Sequence, residues 1–262
     1  MQYVIYKLSG KVLADPASLQ QALANIAKQS QALQHQAVIV HGGGPYADQW
    51  QQNAGLSVVK HNGLRVTPQA DLPVITGALA GYAHIQLLGV LKQLGIQAVG
   101  MTPTTGATLR CELHPEHQVL GSVGQVCANS GHFIDSICSQ GYWPVFHSIA
   151  YTASGQCVNV NADDVAVALA NTLEAAAILF ISDVPGIFDH QGVTLPQITC
   201  AQIAKLLAQE TIHSGMHTKL ASLQAINWAV TKRVVIGALE VLTEPDAGTE
   251  IIATSKTSEV AL

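Results

Sequence analysis

Three glycine-bearing turns carry the chemical signal of this sequence. Lys7-Leu8-Ser9-Gly10 follows the apolar run 4–6, and His41-Gly42-Gly43-Gly44 follows the apolar run 37–40. Ser182-Asp183-Val184-Pro185-Gly186-Ile187 follows the very apolar run 176–181. Glycine lets a backbone come close to a ligand and turn its N–H groups toward it. Successive N–H groups at a helix start make a concavity for anions. One such turn is common between a strand and a helix. A triple glycine after a buried strand is harder to dismiss, because each glycine adds its own entropy cost. Two named phosphate motifs fail. Gly10-Lys11 runs into Val12 without the upstream glycine that G-x-x-x-x-G-K-[ST] needs. Gly42, Gly44 and Ala47 meet G-x-G-x-x-A literally, but after the second strand and with no acid near the ribose-binding position.

These turns need elements to hold them. Short β-branched runs at 4–6, 37–40, 97–100, 143–147, 176–181 and 233–236 read as strands. Helical patterns lie at 79–94, 134–140, 162–173, 201–208 and 215–229. Asp15-Pro16 is an N-cap followed by proline at the first helical position. Leu19, Leu23, Ile26, Ala27 and Leu33 then lie close to a 3.6 period. This alternation predicts an α/β fold: a three-layer α/β/α sandwich with a central, mostly parallel sheet covered on both faces. Open sheets of this kind bind ligands at the carboxyl ends of their strands, where the three turns fall. The stretch 109–126, rich in His, Glu and Gly, shows no clear helix and reads as a hairpin on a rim. Residues 254–262 read as a frayed tail.

Composition narrows the function. The 262 residues carry 12 Lys+Arg against 17 Asp+Glu, a net charge of −5, and 48% are hydrophobic. Mild acidity without a basic run excludes nucleic acid as the main partner, and removes a polybasic hold on a membrane surface. Cys111, Cys127, Cys138, Cys157 and Cys200 are odd in number and form no C-x-x-C, so free thiols in a reducing compartment are expected. Lys7, Lys11 and Asp15 interrupt the start, which has no signal-peptide core, and a cytoplasmic location is expected. Residues 72–91 lack formal charge and are long enough to cross a bilayer. Pro73, Gly77, Gly81, His84, Gln86 and Gly89 instead favour a soluble helix buried on most of its circumference. His213/His217 and His114/His117 have ligand-like spacing, but neither pair has a third ligand in sequence, so no metal site is expected. His41 is expected to be structural, and Tyr6, Trp143 and Phe180 to be core.

Several segments resemble the amino-acid kinase family. They are Lys7 to Gly10, His41 to Pro45, Asn62-Gly63-Leu64-Arg65-Val66-Thr67, Thr76-Gly77-Ala78-Leu79-Ala80-Gly81, Asn159-Val160-Asn161-Ala162-Asp163, Ser182 to Ile187 and Gly215-Met216-His217-Thr218-Lys219. They fall in family order and cover nearly the whole chain. The segments at 62–67 and 159–163 are similar to the branch that phosphorylates N-acetyl-L-glutamate in arginine biosynthesis. The resemblance implies transfer of the ATP γ-phosphoryl group to a side-chain carboxylate. With a reference pKa of about 4.3, that carboxylate is already an anion and needs no general base. It needs relief from repulsion and stabilisation of the phosphoryl oxygens in flight: lysines, backbone N–H groups and Mg²⁺.

By this resemblance Lys7 and Lys219 are the two transition-state lysines, and Asp163 holds them by charge-assisted hydrogen bonds. On the sequence alone, Asp163 could equally serve the helix dipole, and Asp164 still better. Gly43 and Gly44 would donate N–H groups to the substrate and the γ-phosphoryl. Arg65 would clamp a substrate carboxylate, and Asn159 would bind the α-carboxylate or acetamido end. Gly10 would approach the phosphates. Asp183, Val184, Pro185, Gly186, Ile187 and Phe188, with Thr211, Ile212 and His213, would bind the nucleotide. An N-terminal lobe, residues 1–173, would bind the acylated amino acid and dimerise; a C-terminal lobe, residues 174–262, would bind ATP.

Ser9 departs from the pattern, standing where the family usually has glycine. It could still present its N–H, but φ > 0 there would be costly. No helix precedes the first strand, which by the resemblance implies a homodimer insensitive to arginine. Two alternatives stay open: a kinase of a longer acylated amino acid, such as an aminoadipate derivative, and a regulator that binds these ligands without turnover.

Overall fold

The computed structural model describes residues 1–207 and 214–253. An eight-stranded sheet forms the centre, in the order Gln197–Thr199, Thr249–Ile252, Arg233–Gly237, Ala177–Ile181, Tyr3–Leu8, Gln36–His41, Trp143–Phe146, Ala98–Met101. The first two run antiparallel to the other six. Strand alternation builds the layers. Val4, Tyr6 and Leu8, with Ala37 and Ile39, face one hydrophobic cluster. Tyr3 and Ile5, with Val38 and Val40, face another. Helices Gly10–Ala14, Pro16–Leu33 and His84–Gln93 cover the first face, and His132–Ser139, Ala162–Thr172 and Ser214–Leu223 the second. The three-layer expectation therefore describes this molecule.

Local chemistry sets the helix ends. Asp15 accepts the Ser18 N–H at 2.9 Å and caps Pro16–Leu33, as its position before Pro16 predicts. Gln34, at φ 51, ends that helix in the left-handed region. The helix expected at 215–229 stops at Leu223. Beyond it Asn171 takes over: its amide donates to the Ala225 carbonyl and its carbonyl accepts the Asn227 N–H. Leu109–Leu113 and Val123–Ala128 form the expected hairpin, with one helical turn, His117–Leu120, between them. The hairpin joins Cys157–Val160 and Ile149–Tyr151 in a separate four-stranded sheet. The 254–262 tail lies outside the described residues.

The long helix needs a correction. It runs Leu72–Gln93 and by length and composition could cross a membrane. Only one stripe is buried: Leu72, Ile75, Ala78, Leu79, Ala83, His84, Leu87 and Leu91. Tyr82 and Ile85 face out, at 44% and 61% exposure, so it is not buried on most of its circumference. A π-helical stretch, Gly77–Ala83, interrupts the α-helical winding.

Candidate active site

The parallel strands deliver the site from one edge of the sheet. Lys7 is the penultimate residue of Tyr3–Leu8 and points to the opposite face from Tyr6 and Leu8. There it meets the start of Ala162–Thr172, whose N-cap Asn161 accepts the Asp163 N–H at 3.2 Å. The Lys7 Nζ lies 2.7 Å from Asp163 Oδ1. Lys219, from Ser214–Leu223, places its Nζ 3.1 Å from the same oxygen. It also lies 5.0 Å from the centre of the Phe180 ring. All three ionic groups are buried. Burial pushes the Asp163 carboxyl up, but the two ammonium groups outweigh it and hold the carboxyl below its ordinary range. Burial pulls Lys219 down, and Lys7 adds to the fall, against the pull of Asp163. Two positive charges thus share one carboxylate oxygen, leaving a net positive charge in a dry setting.

Two glycine turns close on each other beside these amines. The ladder sets Leu8 opposite His41. A Cβ on Gly10 would stand 2.6 Å from Pro45 Cδ and 2.7 Å from the Gly44 nitrogen, so only glycine permits this approach. Helix Gly44–Asn53 begins there, with Gly43 at its N-cap and no side chain capping it. Ser9 behaves differently from the expectation. Its φ is −68°, so it carries no strain. Its N–H is already given to the Ile181 carbonyl at 2.9 Å, and its hydroxyl accepts the Val12 N–H. It therefore presents no backbone donor, and caps helix Gly10–Ala14, which the sequence reading missed.

Arg65 lies on a two-stranded hairpin, Lys60–His61 with Leu64–Arg65. Its guanidinium donates to Gln51 Oε1 at 2.5 Å and to the Gly44 carbonyl at 3.2 Å, and pairs with Asp48. It is held against the glycine turn. Asn159 donates to Thr67 Oγ1 at 3.1 Å, two residues beyond Arg65. These two candidates are joined through the 62–67 segment.

The 183–188 turn lies across the first strand. Asp183 pairs with Lys11 at 2.6 Å on the surface. A Cβ on Gly186 would meet Thr249 Oγ1 at 2.6 Å, and Ile187 donates its N–H to that oxygen at 2.8 Å. Gly186 and Ile187 are thereby pinned to Thr249–Ile252, with Ile187 buried and Phe188 exposed. Val184 and Pro185 lie between these anchors. Thr211, Ile212 and His213 lie outside the described residues.

Behind the triple glycine His41 is structural, as expected, and is joined by two further buried histidines that the sequence did not link to it, His84 and His147. The His41 Nδ1 lies 2.7 Å from the Gly42 carbonyl, so it carries the proton and leaves Nε2 as an acceptor. His84 Nδ1, 2.8 Å from that Nε2, must then be the donor. His147 Nδ1 accepts the Ile149 N–H at 3.1 Å. The acceptor roles of His41 Nε2 and His147 Nδ1 require those two rings to be neutral. Burial leads in lowering all three, to about 3 for His41, 4 for His84 and 3 for His147. Like-charge repulsion within the group adds to the fall for His41 and His147. Unfolded histidine takes its proton near pH 6.5. The stability these rings confer is therefore complete above pH 6.5 and lost as pH falls from there toward 3. The loss reaches at most about 1.4 kcal/mol per histidine per pH unit. Urea midpoints measured from pH 7.5 to 5 are expected to hold level down to about pH 6.5 and then fall, less so in His84→Asn. A flat wild-type series would contradict this account.

Among the described residues no group of three or more His, Cys, Asp and Glu side chains could hold a metal ion.

The profile of the amino acid kinase family matches residues 2–236. The chain belongs to the amino acid kinase family. Among its relatives, the acetylglutamate kinase of Vibrio vulnificus (strain YJ016) is 39% identical over 226 residues, covering 86% of this chain and 84% of the relative. The acetylglutamate kinase of Pectobacterium carotovorum subsp. carotovorum (strain PC1) is 41% identical over 220 residues, 84% of each chain. Among solved structures, smu.665 from Streptococcus mutans UA159 has a TM-score of 0.85 at 26% identity, covering 96% of this chain and 99% of that one. Of the candidates, this amino acid kinase chain gathers Lys7, Asp163, Lys219, Gly10, Gly43 and Gly44 at one place. Arg65 and Asn159 flank them, and Asp183 to Phe188 form a separate turn.

Proposed function

We propose that this chain transfers the γ-phosphoryl group of ATP to the γ-carboxylate of N-acetyl-L-glutamate, giving N-acetyl-L-glutamyl 5-phosphate in arginine biosynthesis. The acetylglutamate kinase relatives at 39% and 41% identity support the substrate. The observation that carries the chemistry is the pair of lysine amines on one buried oxygen of Asp163. A carboxylate oxygen attacks the γ-phosphorus, the bond to the β–γ bridging oxygen breaks, and ADP leaves. No proton is transferred, so a site without a general base is sufficient. Lys7 meets the transferred group, and Lys219 the charge building on the departing ADP. Asp163 aims both amines and takes no proton. The backbone N–H groups of Gly43 and Gly44 face the substrate and the γ-phosphoryl, with Gly10 against the phosphates.

Mg²⁺, carried on the phosphates of ATP, would supply charge neutralisation there. The chain's own groups fit that mode, since the Asp163 oxygen is already shared by two ammonium groups. Residues 183–188, with 211–213, hold the nucleoside end. Residues 1–173 bind the amino acid and 174–262 bind ATP. Closure of the two lobes keeps water from the acyl phosphate. The protein works in the cytoplasm as a homodimer; its Leu72–Gln93 helix offers Tyr82 and Ile85 to a second copy.

Mixing ATP, Mg²⁺ and N-acetyl-L-glutamate should release ADP, with N-acetyl-aminoadipate as the comparison substrate. Binding of both ligands by calorimetry without ADP release would overturn the proposal. Arg65→Ala is expected to raise the KM for N-acetyl-L-glutamate about 10–100-fold, the loss of one charge-assisted contact, with kcat changed far less. An unchanged KM would remove Arg65 from the pocket.

A further inference from the structure

Asp164 is a half-buried acid that the mechanism leaves unused. It follows Asp163 on the Ala162–Thr172 helix, in the first turn, where an acid also suits the helix dipole. Its carboxylate accepts the hydroxyl of Ser222, on the neighbouring Ser214–Leu223 helix. The same hydroxyl proton is shared with the Thr218 carbonyl, 3.0 Å away and one turn back along its own helix. The Asn161 amide lies 3.4 Å from the same hydroxyl. Lys219 sits between Thr218 and Ser222. The start of one helix is therefore bonded to the turn of the other that carries the second lysine. Burial pushes the Asp164 carboxyl up to about 6, against the Ser222 hydrogen bond, and Asp163 adds to the rise. The Ser222 bond ties this carboxylate to a second helix, which a dipole partner within its own helix does not need. It makes sense as a fixed strut.

We propose that the Asp164–Ser222 hydrogen bond is a latch that sets the position of Lys219, making Asp164 a positioning residue for phosphoryl transfer. The inference rests on the reading of Lys219 given above. Apolar packing of Leu220 and Leu223 holds the helix on the sheet, but such contacts tolerate sliding. A directional bond at Ser222 fixes rotation, and with it the reach of the amine toward Asp163. A misplacement of under an ångström at a reacting centre costs about tenfold or more in rate.

Two readouts test the latch. In steady-state assays Ser222→Ala and Asp164→Ala are expected to lower kcat about tenfold, with both KM values within about twofold. The double variant is expected to be no worse than either single one, because both remove the same bond. Asp164→Asn, whose amide oxygen can still accept the hydroxyl, is expected to recover most of kcat. Independently of turnover, Lys219 is labelled with trace acetic anhydride and quantified by peptide mass spectrometry. The two alanine variants should label several-fold faster at Lys219 than wild type, and Asp164→Asn should not. Unchanged labelling overturns the latch, whatever the substrate proves to be. Absence of ADP release by wild type, with labelling as expected, overturns the substrate reading and leaves the latch standing.

Discussion

Replacing Lys219 with alanine is expected to lower kcat by about 10²–10³-fold, the usual cost of removing one preorganised charge from a transition state. Lys7→Ala is expected to do the same. The reason lies in timing. In the ground state both amines already have a partner, because Asp163 accepts both. ATP and the acceptor therefore gain little from them on binding. Charge that shifts onto the phosphoryl oxygens and the departing ADP gives the amines new partners only as the reaction proceeds. An interaction made chiefly in the transition state moves kcat and leaves KM. Each single variant also leaves Asp163 one ammonium group, so the fold should persist. Steady-state kinetics with both substrates varied is the check. A raised KM with wild-type kcat would make the lysine a binding group only.

Asp163→Ala should behave quite differently. Two buried ammonium groups would remain, within reach of one another and without a counter-charge. Removing one partner of a buried ionic cluster costs about 3–5 kcal/mol, because the remaining charge is stranded. That is a large share of the 5–15 kcal/mol by which a domain is usually stable. The urea midpoint should drop accordingly, and activity should be lost with it. Adding Lys219→Met to Asp163→Ala removes one stranded charge and should recover much of the stability but none of the activity. If Asp163→Ala melts like wild type, the three groups are wetter than their geometry indicates.

The site was legible in proportion to how local its signals are. The glycine turns, Lys7 and the 159–163 segment are contiguous patterns, and the structure gathers Lys7, Asp163 and Lys219 where strand ends predict a ligand. The sandwich was readable because its strands are buried on both faces and so form continuous apolar runs. What escaped depends on partners far apart in sequence. Asp164 meets Ser222, and His41 meets His84. Nothing in the spacing of either pair announces contact. Lys11 was passed over because its partner, Asp183, lies on another turn. The strands at Lys60–His61, Leu64–Arg65 and Ile149–Tyr151 are too short to show a period. Ser9 was misread because a missing glycine drew attention to strain, whereas its N–H was claimed by the neighbouring strand.

The wide turn at Gly77–Ala83 bears on how this lineage can change length. A widened turn holds a surplus residue that the winding on either side does not require. Excising one residue there would let the helix close up while both halves keep their bearing, so His84 would still look toward His41. Excising one from the tightly wound stretches would swing every side chain downstream by roughly 100°. Insertions and deletions that spare the fold should therefore collect at this spot, making it a slack link in an otherwise inextensible rod.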